Sequence, residues 1–487
     1  MKNELILGLD IGSSSVRGAL FDLSGQMLEE SFVKNERPLL SAVEFDADEA
    51  LGRIIDIIDQ VLKTASGIDS GITHIASCTI WHSLLGVDAA RHPTTNVLTW
   101  ADTRSGKLTG ELRSSLDEAR IHNRTGARFH SSFWPAKLLW IRDQHPAVWK
   151  RTAQWLSVGD YLQSRLCGGD FTSISMASAT GLFDQRKQAW DGELLYHLRL
   201  KVNSLPLIHG GREGFALTPK FHDRWPLLKD AKWLPSIGDG AANNIGSRCI
   251  ARNKAALMVG TSGAMRVAFE GDPPEQLPDG LWCYRVDQKR VIVGGALSDG
   301  GGLYALLKKD LQVDLADEEI AEEMSRRGAD AHGLTVTPFF FGERSTGYHE
   351  NATGSILGLN PSHDAIDILQ AAMESVAFRF AEILDQLEKV SRIDEIVVSG
   401  GAIDASPVWT QIVADVLGRD LLVSNEPEAS LRGAVLLALE SLGKIESIDS
   451  FSNEKSRLAF HPKRHEIYKK ARKRHISAYE ILIAANI

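Results

Sequence analysis

The chain has 487 residues, 43% of them hydrophobic and 24% charged, with a net charge of −9. That length is too great for one compact core and predicts two or more domains of ordinary globular composition. The charge excludes the basic footprint of a nucleic-acid binder, and no apolar stretch approaches membrane-spanning length.

Leu5–Leu9 and Val16–Phe21 read as buried strands, and Met27–Val33 as a third strand after the turn Asp22-Leu23-Ser24-Gly25. The start, MKNELILGLDIG, lacks the length and cleavage region of a signal peptide. Between the first two strands lies Asp10-Ile11-Gly12-Ser13-Ser14-Ser15. Glycine lets backbone approach a phosphate, serines and amides donate to it, and Asp10 is placed to hold Mg2+ through water. A plain strand-to-strand turn with a solvated aspartate is the competing reading. Apolar residues at 51, 54, 55, 58, 61 and 62 predict a helix with one buried stripe.

Cys78, Cys167, Cys249 and Cys283 form no CxxC pair and suit neither zinc nor a disulfide framework, so reduced thiols in a cytoplasmic protein are expected. Trp81-His82 and Trp100-Ala101-Asp102-Thr103-Arg104 combine aromatic faces for the apolar side of a polyol with groups that fix hydroxyls. Each alone reads as core or as a surface salt bridge. In Ile237-Gly238-Asp239-Gly240-Ala241-Ala242-Asn243, the Asp-Gly pair reads as a turn, in a segment not expected to be regular helix.

The second half repeats the opening pattern. Ala255–Val259 is an apolar run ending in Gly260-Thr261-Ser262-Gly263, and Ala264–Phe269 follows. Residues 12–21 and 260–269 look like two copies of one turn, implying two related α/β halves. Gly294-Gly295 with Ser298-Asp299-Gly300-Gly301-Gly302 reads as a third phosphate turn or a flexible loop. A long amphipathic helix is marked by Leu369, Met373, Val376, Phe380, Ile383 and Leu387. Ile396–Val398 then leads into Ser399-Gly400-Gly401-Ala402, small enough for a flat ring or for close strand–helix packing. Ser406-Pro407 opens another helix. The basic stretch 463–475 reads as a solvated helix face. No GxxxxGK[ST] sequence occurs.

From Leu7 to about Leu442 these blocks resemble the FGGY family of carbohydrate kinases, in the actin-like ATPase superfamily. The most specific piece is Gly354-Ser355-Ile356-Leu357-Gly358-Leu359 with Asp367-Ile368 and Ala371-Ala372-Met373-Glu374. GLDIGSSSVRGALFD resembles the first phosphate motif, VGTSGA the second, and VVSGGAIDASPVWTQIVADVLG the adenosine motif.

The resemblance implies two actin-like (ribonuclease H-like, ASKHA) α/β domains, 1–246 for sugar and 247–487 for ATP, with a catalytic cleft between them. It implies an ATP- and Mg2+-dependent kinase. ATP would meet Asp10, Gly12, Ser13, Ser14, Arg17, Gly260, Thr261, Gly301, Gly401 and Ala402. The acceptor would meet Trp81, His82, Trp100, Asp102, Arg104 and Asp239, with Asp239 as general base and the metal near Asp10 and Asp239.

Arg124–His130, Ser178–Asp184 and Trp282-Cys283-Tyr284 look most like the family's gluconate kinases, which implies a sugar acid as acceptor. Arg104, Lys137, His82, His130 and Arg344 are the candidate partners of its carboxylate. A pentulose or other polyol kinase is the alternative within the class, and a non-catalytic nucleotide-binding switch the alternative outside it. A homodimer is the oligomeric state the family suggests, with no nucleic-acid or membrane partner. Gly240 departs from family members that carry an amide or larger residue there, leaving space beside Asp239. Asp299 departs from the more usual asparagine and would repel phosphates unless it faces Mg2+ or solvent.

Overall fold

The computed structural model describes residues 3–12, 15–36, 43–65, 70–210, 213–424, 426–448 and 455–483. The N-terminal apolar run forms β1 (Asn3–Ile11), which pairs antiparallel with β2 (Val16–Asp22). The next strand, β3 (Val33–Asn35), begins later than the Met27–Val33 expected from sequence, because residues 29–31 form a tight 3-10 turn. There Ser31 Oγ accepts from the Leu20 amide at 2.8 Å and donates to Leu28 O at 2.6 Å. A side chain thus takes the ladder position of a backbone carbonyl.

Helix α1 (Ala47–Thr64) starts at Asp46, whose side chain accepts from the Glu49 amide. It buries Ile54, Ile57, Ile58 and Val61 in the first core. Each such side chain contributes about 1.5–3 kcal/mol. β4 (Ser70–Thr79) then runs parallel to β1. A long excursion follows, with its own core around Leu112, Trp134, Leu138 and Trp155. β5 (Phe215–Ala216), β6 (Lys232–Trp233) and β7 (Ile237–Gly238) complete the sheet in the order β5-β6-β4-β1-β2-β3, with β7 parallel to the end of β4.

Contrary to the sequence reading, Asp239 opens a helix, α2 (Asp239–Gly246), whose N-cap is Gly238. The run Ala-Ala-Asn-Asn-Ile after Gly240 carries the helix, and glycine near its start is tolerated.

The second sheet is built from β8 (Lys254–Val259), β9 (Gly263–Glu270), β10 (Trp282–Arg285), β11 (Arg290–Leu297), β12 (Glu395–Ser399), β13 (Leu421–Ser424) and β14 (Lys455–Leu458), in the order β10-β11-β9-β8-β12-β13-β14. The series β11-β9-β8-β12 has the same senses as β3-β2-β1-β4: antiparallel, antiparallel, parallel. The short internal match therefore lies on corresponding hairpins of two like-built sheets. Gly294 and Gly295 lie inside β11 and form no loop. A Cβ on Gly294 would stand 2.5 Å from Met265 O, and one on Gly295 2.7 Å from Ile383. The pair serves close packing.

α3 (Gly301–Asp310), α4 (Ala365–Leu387) and α5 (Gly401–Ala405) belong to the second domain. α6 (Ala429–Ser441) instead crosses to the first sheet, where Leu431, Val435 and Leu439 pack with Ile6, Phe21 and Ala76. It also crosses α2 so closely that a Cβ on Gly433 would lie 1.9 Å from Ala242 O, and one on Gly246 1.8 Å from Ala429 O. A cut at residue 246 thus leaves α6 on the first sheet. α7 (Pro462–Leu482) turns Tyr468, Ala471 and His475 inward and exposes most of its basic residues. No described helix is long and apolar enough to cross a membrane.

Candidate active site

Three parallel strands of the first sheet end in one row. Asp10 of β1 is in register with Cys78 of β4, and Thr79 of β4 with Gly238 of β7. Asp10 and Asp239 are thereby delivered to the same edge, the carboxyl ends of the strands, where open α/β sheets bind ligands. Asp10 is 5% exposed and accepts from Cys78 Sγ at 3.3 Å and from Arg17, also at 3.3 Å. Burial pushes its carboxyl up to about 6, against the pull of Arg17 and Cys78, and the nearby Asp239 adds to the rise. Arg17 also pairs with Glu428 at 2.6 Å. The Gly12 amide closes the hairpin on Ser15 O at 3.1 Å. Ser13 and Ser14, expected at the phosphates, lie outside the described residues.

Asp239 is aimed by its neighbours. Its Oδ1 accepts from the Gly240 amide at 2.9 Å and the Trp81 amide at 3.4 Å. The Trp81 indole lies against the 238–240 backbone. A Cβ on Gly238 would stand 1.8 Å from Trp81 Nε1, and one on Gly240 2.4 Å from Trp81 Cζ3. Both glycines are needed for that contact. The space expected beside Gly240 is filled by this ring. Burial raises the Asp239 carboxyl, and Arg266 and the two amides pull it back.

Asp239 faces a cavity of about 90 Å³ whose wall includes Trp81, His82, Trp100, Arg266, Tyr284, Arg344 and Tyr348, together with Ser262 and Gly263 of the second glycine turn. Tyr284 stacks on Trp282 at 4.3 Å and meets Trp81 edge-on at 5.3 Å. His82 is held neutral, its pKa lowered to about 3 by burial, with the Nδ1 contact to Ala179 O (2.6 Å) opposing the fall. Trp100 lines the cavity but carries the Arg344 guanidinium on its ring at 4.2 Å.

Asp102 and Arg104 are not brought to this wall. Asp102, 1% exposed, accepts from Arg104 N, Nε and NH2 at 3.0, 2.9 and 2.8 Å. Arg104 also pairs with Glu44 and lies 4.9 Å from the Trp140 ring. The pair ties the Trp100 loop to the chain around residue 44 instead of offering free hydrogen-bonding groups to the cavity.

The second-domain turns converge. The Gly301 amide donates to Gly260 O at 2.7 Å and the Gly302 amide to Thr261 O at 2.9 Å. A Cβ on Gly301 would lie 3.1 Å from Ala402 Cβ. Gly400, at φ +108°, approaches Val259 O so closely that a Cβ would lie 2.5 Å away, whereas Gly401 faces open space. Gly260, Thr261, Gly301, Gly401 and Ala402 therefore form one shelf with exposed backbone, fit for a nucleotide's phosphates and ring.

Asp299 is turned away from this shelf. Its Oδ1 accepts from the Phe340 and Phe341 amides at 3.2 and 3.3 Å, and burial raises its pKa to about 8. The rise disfavours its charged form and so weakens its repulsion of phosphates.

Arg266 was not singled out from the sequence. Its signal was present: one arginine inside the otherwise apolar run GAMRVAF is costly unless it faces a polar site. Tyr348 had no local signal. It lies on the loop between residues 337 and 355, which reaches the cavity from a separate two-stranded sheet.

Two like domains that present parallel strand ends and glycine turns across a cleft define a two-domain α/β protein of the actin-like class. The family models for the N-terminal and C-terminal domains of the FGGY carbohydrate kinases match residues 5–230 and 255–442. The chain belongs to the FGGY family of carbohydrate kinases, ATP-dependent enzymes that phosphorylate sugars. A gluconokinase of Bacillus licheniformis is 27% identical, covering 96% of this chain and 93% of the relative. The solved gluconate kinase of Lactobacillus acidophilus superposes with a TM-score of 0.89 at 24% identity, over 99% of this chain and 98% of that one. A ligand-bound xylulose kinase from the same organism gives the same TM-score and identity over 98% of each chain. These two structural likenesses establish the fold and do not separate the acceptors.

Proposed function

We propose that the protein phosphorylates D-gluconate to 6-phospho-D-gluconate with MgATP. The observation that carries the reading is the placement of Asp239. It stands in the wall of a polar-aromatic cavity that also includes Ser262 and Gly263 of the nucleotide-side turn. A sugar hydroxyl is a weak nucleophile. Asp239 accepts its proton as the bond to the γ-phosphorus forms.

Asp10 and Asp239 fit a divalent cation, since burial raises both carboxyls and the charge of Asp239 raises Asp10 further. Magnesium bound there supplies charge neutralisation for the phosphates. The chain's own residues do the positioning. Gly260–Thr261 and Gly12 hold phosphate, the Gly401–Ala402 turn receives the adenine side, and Trp81 and Tyr284 pack against the acceptor's carbon chain. Arg266, buried beside Asp239 with its pKa lowered to about 10, balances the charge of the transferring group. Similarity to gluconokinases, at 27% identity over 96% of this chain, supports the choice of acceptor, and glycerol kinases at the same identity over 93% put glycerol on the test panel.

The test is ADP release over a panel of D-gluconate, D-xylulose, D-ribulose and glycerol, with wild type and Asp239→Ala. Turnover with gluconate is expected, falling by about 10²–10⁴-fold in the variant. A strong response to a pentulose with none to gluconate rejects the acceptor. Nucleotide binding without turnover on any acceptor favours a non-catalytic switch.

A further inference from the structure

Sequence reading left five candidates for a carboxylate partner, and the geometry separates them. Arg104 is consumed by Asp102 and Glu44. Lys137 lies outside the cavity wall and donates to Ser131 O at 2.5 Å. His130 is also outside the wall, beside Glu350 at 3.7 Å. His82 lines the cavity but is neutral. Arg344 lines the cavity and remains a cation.

Its partners differ from those of the buried arginines that are paired with carboxylates. The well-buried Arg379 pairs with Glu343 and Glu382, and Arg285 with Asp272. Among the described residues, no carboxylate lies within 4 Å of Arg344. Asp239 and Asp299 feel its field from farther off, and Asp299 spends Oδ1 on the Phe340 and Phe341 amides. One arm donates to Leu297 O at 2.8 Å, the face rests on Trp100, and the buried Nε has no partner. A half-buried guanidinium with a spare fork matches a carboxylate in two parallel bonds.

The loop holds that fork in place before any ligand arrives. The Ser345 amide donates to Ala296 O and the Ala296 amide to Ser345 Oγ, both at 3.0 Å. Arg266, the other cation of the wall, exerts the largest charge effect on Asp239 and reaches Asn243 at 3.5 Å, so it serves the phosphoryl end. Arg344 sits on the Trp100 side of the cavity. An acyclic acid phosphorylated at its terminal hydroxyl needs its two cations divided in this way.

We propose that Arg344 is the receptor for the acceptor's carboxylate, so that the cavity selects aldonic acids over neutral polyols of the same length. The inference rests on reading this cavity as the acceptor site.

The test compares binding of D-gluconate and its neutral counterpart D-glucitol by titration calorimetry, with ADP present, on the full chain. Wild type is expected to bind the acid about 10–100-fold more tightly, and Arg344→Met to bring the two within about threefold. Arg344→Lys, which keeps the charge and loses the fork, should weaken gluconate about tenfold and leave glucitol unchanged. Melting curves establish that each variant is folded, and the lysine variant alone suffices if the methionine variant is not. Equal weakening of both ligands, or no preference in wild type, overturns the proposal. A preference that depends on Arg344 without turnover of gluconate supports it while rejecting gluconate as the substrate.

Discussion

Replacing Asp10 by asparagine separates what this side chain costs the fold from what it does for catalysis. Its carboxyl is raised from 3.8 to about 6 in the folded protein. An acid raised in this way binds its proton more tightly when folded. Its cost is therefore absent below about pH 4, grows as pH rises through the interval to about 6, and is complete above that. Roughly two pH units at about 1.4 kcal/mol each make about 3 kcal/mol at pH 8. Asparagine imitates the protonated acid and keeps one acceptor oxygen for either Cys78 or Arg17. Arg17 retains Glu428 at 2.6 Å. The ligand-free variant is expected to be more stable than wild type by about 1–3 kcal/mol at pH 8 and equal to it near pH 4. Urea unfolding followed by tryptophan fluorescence, at both pH values, reads this. MgATP-dependent turnover should fall at least about 100-fold in the same variant. A variant less stable at pH 8, or a difference of the same size at both pH values, refutes the reasoning.

Burial raises the Asp239 carboxyl, and the base works only when ionised. The acid limb of kcat/KM should therefore lie above the ordinary aspartate value of about 4, and a pH–rate profile on that limb checks it. Gly433→Ala places a Cβ 1.9 Å from Ala242 O where α6 crosses α2. It should cost about 1–3 kcal/mol, read as a lowered melting temperature with both domains otherwise intact.

Much of the frame was legible because it is local. The hairpin at residues 12–21 and its copy at 260–269 announced themselves as glycine turns between apolar runs, and each proved to lie in the same place in its sheet. What failed was long-range or side-chain-mediated. Ser31 replaces a carbonyl in the ladder, so the third strand starts late. Asp239 looked like a turn residue, yet the residues after Gly240 carry a helix. Asp102 and Arg104 have the chemistry of a sugar pocket, but nothing local says that Glu44 and Trp140 will claim the arginine. The return of α6 to the first sheet depends on Gly433 meeting Ala242, almost two hundred residues apart. Arg344 stood among five candidates for the carboxylate until its loop placed it on Trp100 in the cavity wall.

The cavity wall is divided between the domains in a way that couples acceptor binding to closure. Trp81, Trp100 and Asp239 come from the first domain, while Arg266, Tyr284 and Arg344 come from the second. The loop that carries Arg344 is fastened across the cleft by Glu350, which accepts from the Ser131 amide at 2.5 Å and from Ser131 Oγ at 2.7 Å. Opening the cleft would break those bonds and lift Arg344 from Trp100. An acceptor that touches both walls therefore adds its binding energy to the closed state alone. Water has no such reach, so it fills the position near Asp239 without gathering the second wall. With Asp239 as the proposed base, this arrangement would favour the intended acceptor over water, which is the condition for spending ATP on sugar instead of on hydrolysis.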